Sequence, residues 1–168
     1  MALRLITLEA LNALLPARAR LIGVDLGTKT IGLALSDVER RIATPLTTIA
    51  RVKFSRDAER LVAEINRFEV FALIVGLPLN LDGSVGPRVQ ATRAFLRNLA
   101  PICERPAALW DERLSTAAVT RSLIAQDVSR AKRAAVVDRM AAAYILQGAL
   151  DRLSGLAETG LREKDPTD

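Results

Sequence analysis

Leu21 to Asp37, LIGVDLGTKTIGLALSD, is the stretch whose reading decides the fold. Leu21, Ile22 and Val24 predict one strand, and Ile31, Leu33, Ala34 and Leu35 a second. Gly27-Thr28-Lys29-Thr30 supplies the reversal between them. One acid interrupts the apolar run. Asp25 lies among Leu21, Ile22, Val24 and Leu26, where an unpaired carboxylate is costly, so it demands a cation, a cluster of donors or a metal. The alternative is a strand-end acid that accepts hydrogen bonds from turn backbone.

Outward from this hairpin, Arg40-Arg41 predicts a turn into Ile42 to Ile49, a third strand that Pro45 places at a sheet edge. Ser55 opens a helix with Asp57 and Glu59 in its first turn and an apolar face of Ala58, Leu61, Val62, Ile65 and Phe68. Phe71 to Val75, ending at Gly76, is a short unbroken apolar run, as in a parallel strand buried on both faces. After the loop Leu77 to Gly83, Pro87 starts a helix with Val89, Phe95, Leu96 and Leu99 inward and Arg93 and Arg97 outward. Ala107 to Trp110 predicts another strand, running into Asp111-Glu112-Arg113. Ser115 or Thr116 caps a helix through Ile124, Asp127 to Arg133 reads as a mobile basic loop, and a last helix runs from about Ala134 to Leu153.

This order implies an α/β fold with a mixed five-stranded sheet, a three-strand antiparallel meander plus parallel strands, flanked by helices. Residues 1–20 form a helical extension, with Leu8, Leu11 and Leu15 at helical spacing, Thr7 as cap and Pro16 as stop. Residues 21–155 form the single domain, and 156–168 a disordered polar tail. Glu9 and Asn12 break the first apolar run, so neither a signal peptide nor a membrane span is expected.

The 168 residues contain no histidine and one cysteine. That excludes a Ser-His-Asp triad, a histidine base, His-ligated zinc and an intrachain disulfide, and points to a reducing cytoplasm. The 24 Lys and Arg against 19 Asp and Glu give a net charge of +5, which suits an anionic partner such as nucleic acid. What remains for catalysis is carboxylates, the ligands of hard cations.

Two more acids stand out. On the last helix Ala134, Ala135, Ala141, Ala142, Ile145 and Ala149 fall within about a quarter turn of Asp138, so its carboxylate points inward among small neighbours. The alternative is a structural Asp paired with an arginine from another element. Glu112 lies at a strand end before a helix, where sites form in open α/β sheets, although such an acid alone is commonly just solvated. Together the three acids repel one another unless divalent cations bind, and two metals roughly 4 Å apart can activate water and stabilise a leaving oxygen. The residues by themselves point to a divalent-metal phosphodiesterase.

Gly23-Val24-Asp25-Leu26-Gly27-Thr28-Lys29, Leu35-Ser36-Asp37, Val75-Gly76-Leu77-Pro78-Leu79-Asn80-Leu81-Asp82-Gly83, Asp111-Glu112-Arg113-Leu114-Ser115 and Val137-Asp138-Arg139-Met140-Ala141-Ala142 resemble the YqgF/RuvX family. This group comprises Holliday-junction-resolvase-like proteins described as pre-16S ribosomal RNA nucleases. The resemblance spans residues 21 to 152 in matching order; the extension before Leu21 departs from it, and Ser115 stands where threonine is expected. It implies a ribonuclease H-like fold. It also implies Asp25, Glu112 and Asp138 as catalytic acids holding Mg²⁺ or Mn²⁺, with two ions, and cleavage during 5′ maturation of pre-16S rRNA. Lys29, Asn80, Arg88, Arg113, Arg130, Lys132 and Arg133 are then the candidates for nucleic-acid contact.

Three rival readings stay open. Branched DNA could replace the RNA, as for a resolvase, with monomer against homodimer as a discriminator. The chain could be a non-catalytic RNA-binding ribosome-assembly factor. Asp25-Leu26-Gly27-Thr28 also resembles the phosphate loop of sugar-kinase and actin-like ATPases, but those clamp nucleotide between two such domains, and this chain is too short for both.

Overall fold

The computed structural model describes residues 3–114 and 130–162, with side chains of the last helix over 138–160. Its strands are β1 (Arg4–Leu5), β2 (Arg20–Leu26), β3 (Thr30–Ser36), β4 (Ala43–Ala50), β5 (Val70–Leu77) and β6 (Pro106–Asp111). Helices α1 (Leu8–Leu14), α2 (Phe54–Arg67), α3 (Pro87–Leu99) and α4 (Arg130–Arg162) flank them.

The hairpin forms as its alternation predicts. Asp25 pairs with Gly32 and Leu26 with Ile31 across antiparallel β2 and β3, and Gly27 N–H donates to Thr30 O at 2.9 Å to close the turn. At the other end, Asp37 accepts from the backbone N–H groups of Arg41 and Ile42, which holds Arg40 at positive φ. β4, carrying Pro45, lies at the sheet edge. β5 is central, parallel to β2 on one side and β6 on the other, as an unbroken apolar run requires.

The sheet has six strands, not five. Its order is β1-β6-β5-β2-β3-β4, the added member being the two-residue β1, parallel to β6. A two-residue strand has no periodicity to read; it is held by pairing, including Ile6 N–H to Ala107 O at 2.9 Å. Thr7 caps α1 as expected, its Oγ1 accepting from Ala10 N–H at 3.1 Å, and Leu11 is fully buried beneath it.

Two apolar layers sandwich the sheet. Ile22, Val24, Leu33, Leu73 and Val75 face Leu61 and Ile65 of α2 and Phe95, Leu96 and Leu99 of α3. Leu21, Ala34, Ala72, Ile74 and Ala108 face Leu11 of α1 and Ala142, Ile145, Leu146 and Ala149 of α4.

Three further expectations change. Lys53, not Ser55, precedes the first turn of α2, and Asp57 in that turn is buried against Arg51. Arg130 to Arg133, expected in a loop, already belong to α4, because an Ala-rich run propagates helix through charged neighbours. The same helix passes Leu153 and the start of the expected polar tail to end at Arg162. The Ser115 or Thr116 cap, its helix and residues 163–168 lie outside the described residues.

α4 can sit close to the sheet only where the sheet lacks side chains. A Cβ at Gly23 would stand 2.6 Å from Ala142 O and 2.7 Å from Leu146 Cβ. Gly23→Ala is therefore expected to lower unfolding free energy by about 1–3 kcal/mol in urea titration. Gly155→Ala, on the same helix with nothing within 4 Å, should raise it by about 0.5–1 kcal/mol.

Candidate active site

Side chains alternate across a strand, so Asp25, two residues after Gly23, also faces α4. It sits on β2 near the end of that strand and is 2 % exposed. Register places Val24 beside Val75, so Asp25 and Gly76 occupy adjacent strands at the same level. Gly76 is where Glu112 arrives. Glu112 opens the 3-10 turn Glu112–Leu114 after β6, and its Oε1 lies 2.6 Å from where a Gly76 Cβ would be. The missing side chain lets this carboxylate reach over β5 toward Asp25.

The third acid comes from the opposite side. Gly32, the partner of Asp25 on β3, lies directly beneath the backbone of Asp138, whose carbonyl occupies the space a Cβ would need. Thr30, two residues back on the same face, donates its hydroxyl to Asp138 Oδ2. Glu112, Asp25 and Asp138 thus form a row over β5, β2 and β3 at the end of the sheet where β2 and β5 finish. It is a row rather than a cluster: among the described residues no three His, Cys, Asp or Glu side chains gather closely enough to hold one metal ion. Each of the three offers carboxylate oxygens, the donors that suit Mg²⁺ or Mn²⁺.

Thr30, Gly32 and Gly76 were not among the residues singled out by sequence. For the two glycines the trace is a glycine inside a strand, which signals close approach without saying of what.

The remaining candidates are scattered. Lys29 is exposed in the β2–β3 turn and Arg88 in the first turn of α3. Asn80 is exposed and structural: its Nδ2 donates to Ser84 Oγ at 2.8 Å and its carbonyl accepts from Gly83 N–H at 2.8 Å. Arg113 turns inward on the chain. Its Nη2 lies 2.7 Å from Asp111 Oδ2, its Nε donates to the same carboxylate, and its Nη1 reaches Leu81 O at 3.5 Å beside Gly83. It clamps the Leu77–Gly86 loop to the strand end rather than standing ready for phosphate. The side chains of Arg130, Lys132 and Arg133 lie outside the described ones.

A mixed sheet with an antiparallel hairpin and parallel strands beyond it is the ribonuclease H-like fold, and the family and relatives that follow make the chain a nuclease, a hydrolase of phosphodiester bonds. The chain belongs to the RuvX family, described as Holliday junction resolvase, whose model matches residues 19–152. A relative from Beijerinckia indica named "Putative pre-16S rRNA nuclease" is 68% identical over 159 residues, covering 95% of this chain and 96% of its own. One of the same name from Methylocella silvestris is 69% identical over 153 residues, covering 91% and 95%. Among solved structures, T. thermophilus RuvC in complex with Holliday junction substrate matches with a TM-score of 0.53 at 16% identity, over 81% of this chain and 96% of that one. This last likeness is one of fold.

Two outcomes test the geometry. In Gly76→Ala the methyl first meets the far ends of Ile145 and Glu112 rather than backbone, so unfolding should shift less than in Gly23→Ala. Displacing Glu112 should nevertheless cost at least about tenfold in metal-supported cleavage. The second concerns Asp111, whose carboxyl the Arg113 guanidinium holds below its ordinary 3.8. A depressed folded pKa adds stability above 3.8 that is lost as pH falls through the folded value. Arg113→Ala should move the Asp111 carboxyl titration followed by NMR up toward 3.8.

Proposed function

We propose that this chain is a divalent-metal-dependent nuclease that matures the 5′ end of pre-16S rRNA. Asp25, Glu112 and Asp138 would hold two Mg²⁺ or Mn²⁺ ions. The observation that carries this is the position of Asp25: a carboxylate only 2 % exposed, with Glu112 reaching over the neighbouring β5 and Asp138 over the neighbouring β3. Such a row accumulates negative charge that hard cations relieve. The names borne by the relatives from Beijerinckia indica and Methylocella silvestris support the RNA substrate.

When bound, the ions would lower the pKa of a coordinated water and stabilise the leaving oxygen. The chain's own residues do the positioning. Thr30 orients the Asp138 carboxylate through its hydroxyl, and Gly76 leaves the Glu112 carboxylate the space it occupies. Burial of Asp25 beneath α4 keeps water from one side of the row, which strengthens every charge interaction there. No helix among the described residues is long and apolar enough to cross a membrane, and we place this work in the cytoplasm with ribosome assembly.

The family description favours a second substrate, the four-way DNA junction. Both belong in one experiment: precursor RNA and a junction, each incubated with Mn²⁺ or Mg²⁺. The wild type should cut the RNA, and Asp25→Asn, Glu112→Gln and Asp138→Asn should each lose at least about a hundredfold, the upper end of what even outer-shell changes cost at metal sites. RNA cleavage undiminished in these variants would overturn the assignment, and cleavage of the junction alone would replace the substrate.

A further inference from the structure

Besides Asp25 and Gly76, the end of the sheet that carries the acid row presents exposed cations. β3 begins and β4 ends there, since Thr30 pairs with Ala50. The residues after β4 therefore emerge beside the Leu26–Thr30 turn. They are Arg51, Val52 and Lys53, followed by Arg56 in the first turn of α2. Lys29, Lys53 and Arg56 are all exposed, and none has an acidic partner within ion-pair distance among the described residues. Val52 between them is 74% exposed, and a shallow groove of about 520 Å³ lies alongside, lined by Ala50, Val52, Arg56 and Arg60 and also by Asp57 and Glu59.

Arg51 differs from its neighbours. Its backbone N–H donates to Lys29 O at 2.9 Å, and its Nη1 donates to Gly27 O at 2.7 Å. Its Nε stands 3.6 Å from Asp57 Oδ2, and the guanidinium lies over the Phe95 ring, 5.8 Å from its centre. Asp57 in turn is 2 % exposed and accepts from Val52 N–H at 3.0 Å. The charge of Arg51 is thus answered inside the protein. Its forked donors bind the β2–β3 turn to the start of α2, so Lys29, Lys53 and Arg56 sit on one braced unit.

We propose that Lys53 and Arg56, continuing from Lys29, form a contact surface for the phosphodiester backbone beyond the acid row, with Arg51 as its positioning residue. The row lies on the face covered by α4 and α2 covers the other. A polyanion extending from the row past β3 therefore crosses the strand ends, where Lys29 stands, and meets Lys53 and Arg56 next. The proposal rests on the nuclease reading for which edge the substrate occupies, and binding measured apart from cleavage separates the two.

Two fluorescent probes, an RNA hairpin with a single-stranded 5′ extension and a four-way DNA junction, are titrated by anisotropy without divalent cations across a range of salt. In the double variant Lys53→Gln/Arg56→Gln, affinity for the occupied probe should fall at least about tenfold at low salt. The slope of log K against log salt should shrink by about 1.4 to 1.8, the share of two phosphate contacts. Arg93→Gln/Arg97→Gln removes the same charge from the outer face of α3 and should leave that slope unchanged. Arg51→Lys keeps a charge but not the fork, and should weaken binding a few-fold at unchanged slope; full affinity would remove its positioning role. Unchanged binding in the Lys53/Arg56 variant, or equal losses in the α3 variant, overturns the surface. A wild type that binds through Lys53 and Arg56 yet cuts neither probe with Mn²⁺ sinks the nuclease reading and leaves the surface standing.

Discussion

The contact of α4 with a sheet stripped of side chains beneath it is the constraint on which the rest of the structure depends. Gly23 and Gly32 let the helix backbone descend to the strands, and Ala142, Ala149 and Leu146 fill what room remains. A helix packed through its backbone at one level has little freedom to slide or rotate, because interiors are as dense as organic crystals. The position of Asp138 is therefore set by main-chain contact rather than by its own rotamer. Gly76 on β5 makes room for two side chains, Ile145 of α4 and the Glu112 carboxylate.

Charge elsewhere in the molecule is settled locally. Asp57 meets Arg51, Asp111 meets Arg113, and Asp37 collects two backbone donors in its turn. Each arrangement ties a loop to a strand end. Asp25, Glu112 and Asp138 come to one end of the sheet from a strand, a 3-10 turn and a helix.

Much of this was legible in the sequence because the signals are local. Alternation in Leu21 to Ser36, the unbroken run of β5 and the proline that opens α3 each imply a single conformation. The inward stripe around Asp138 was readable from periodicity, and register then brought Asp25 beside it. What could not be read depends on contacts distant in sequence. The pairing of β1 with β6 spans about a hundred residues and leaves no pattern in Arg4-Leu5. Thr30 is an ordinary turn residue until a helix more than a hundred positions away places a carboxylate over it. Arg113 carries the charge of a phosphate ligand, and only its geometry reveals that Asp111 already holds it. The start of α4 was misjudged for the opposite reason: charge in Arg130 to Arg133 suggested a loop where local propensity favoured helix.

The short strand β1 matters beyond its two residues. An uncovered β6 would present a row of unanswered donors and acceptors to any passing chain, the template from which edge-to-edge association grows. By laying its own amino-terminal residues there, with Leu3 N–H bonded to Ala100 O and α1 folded down beside it, the protein closes that margin itself. The proline-bearing β4 guards the opposite margin. Between two blunted sides, self-recognition through sheet extension is discouraged, and the strand ends are left as the open approach.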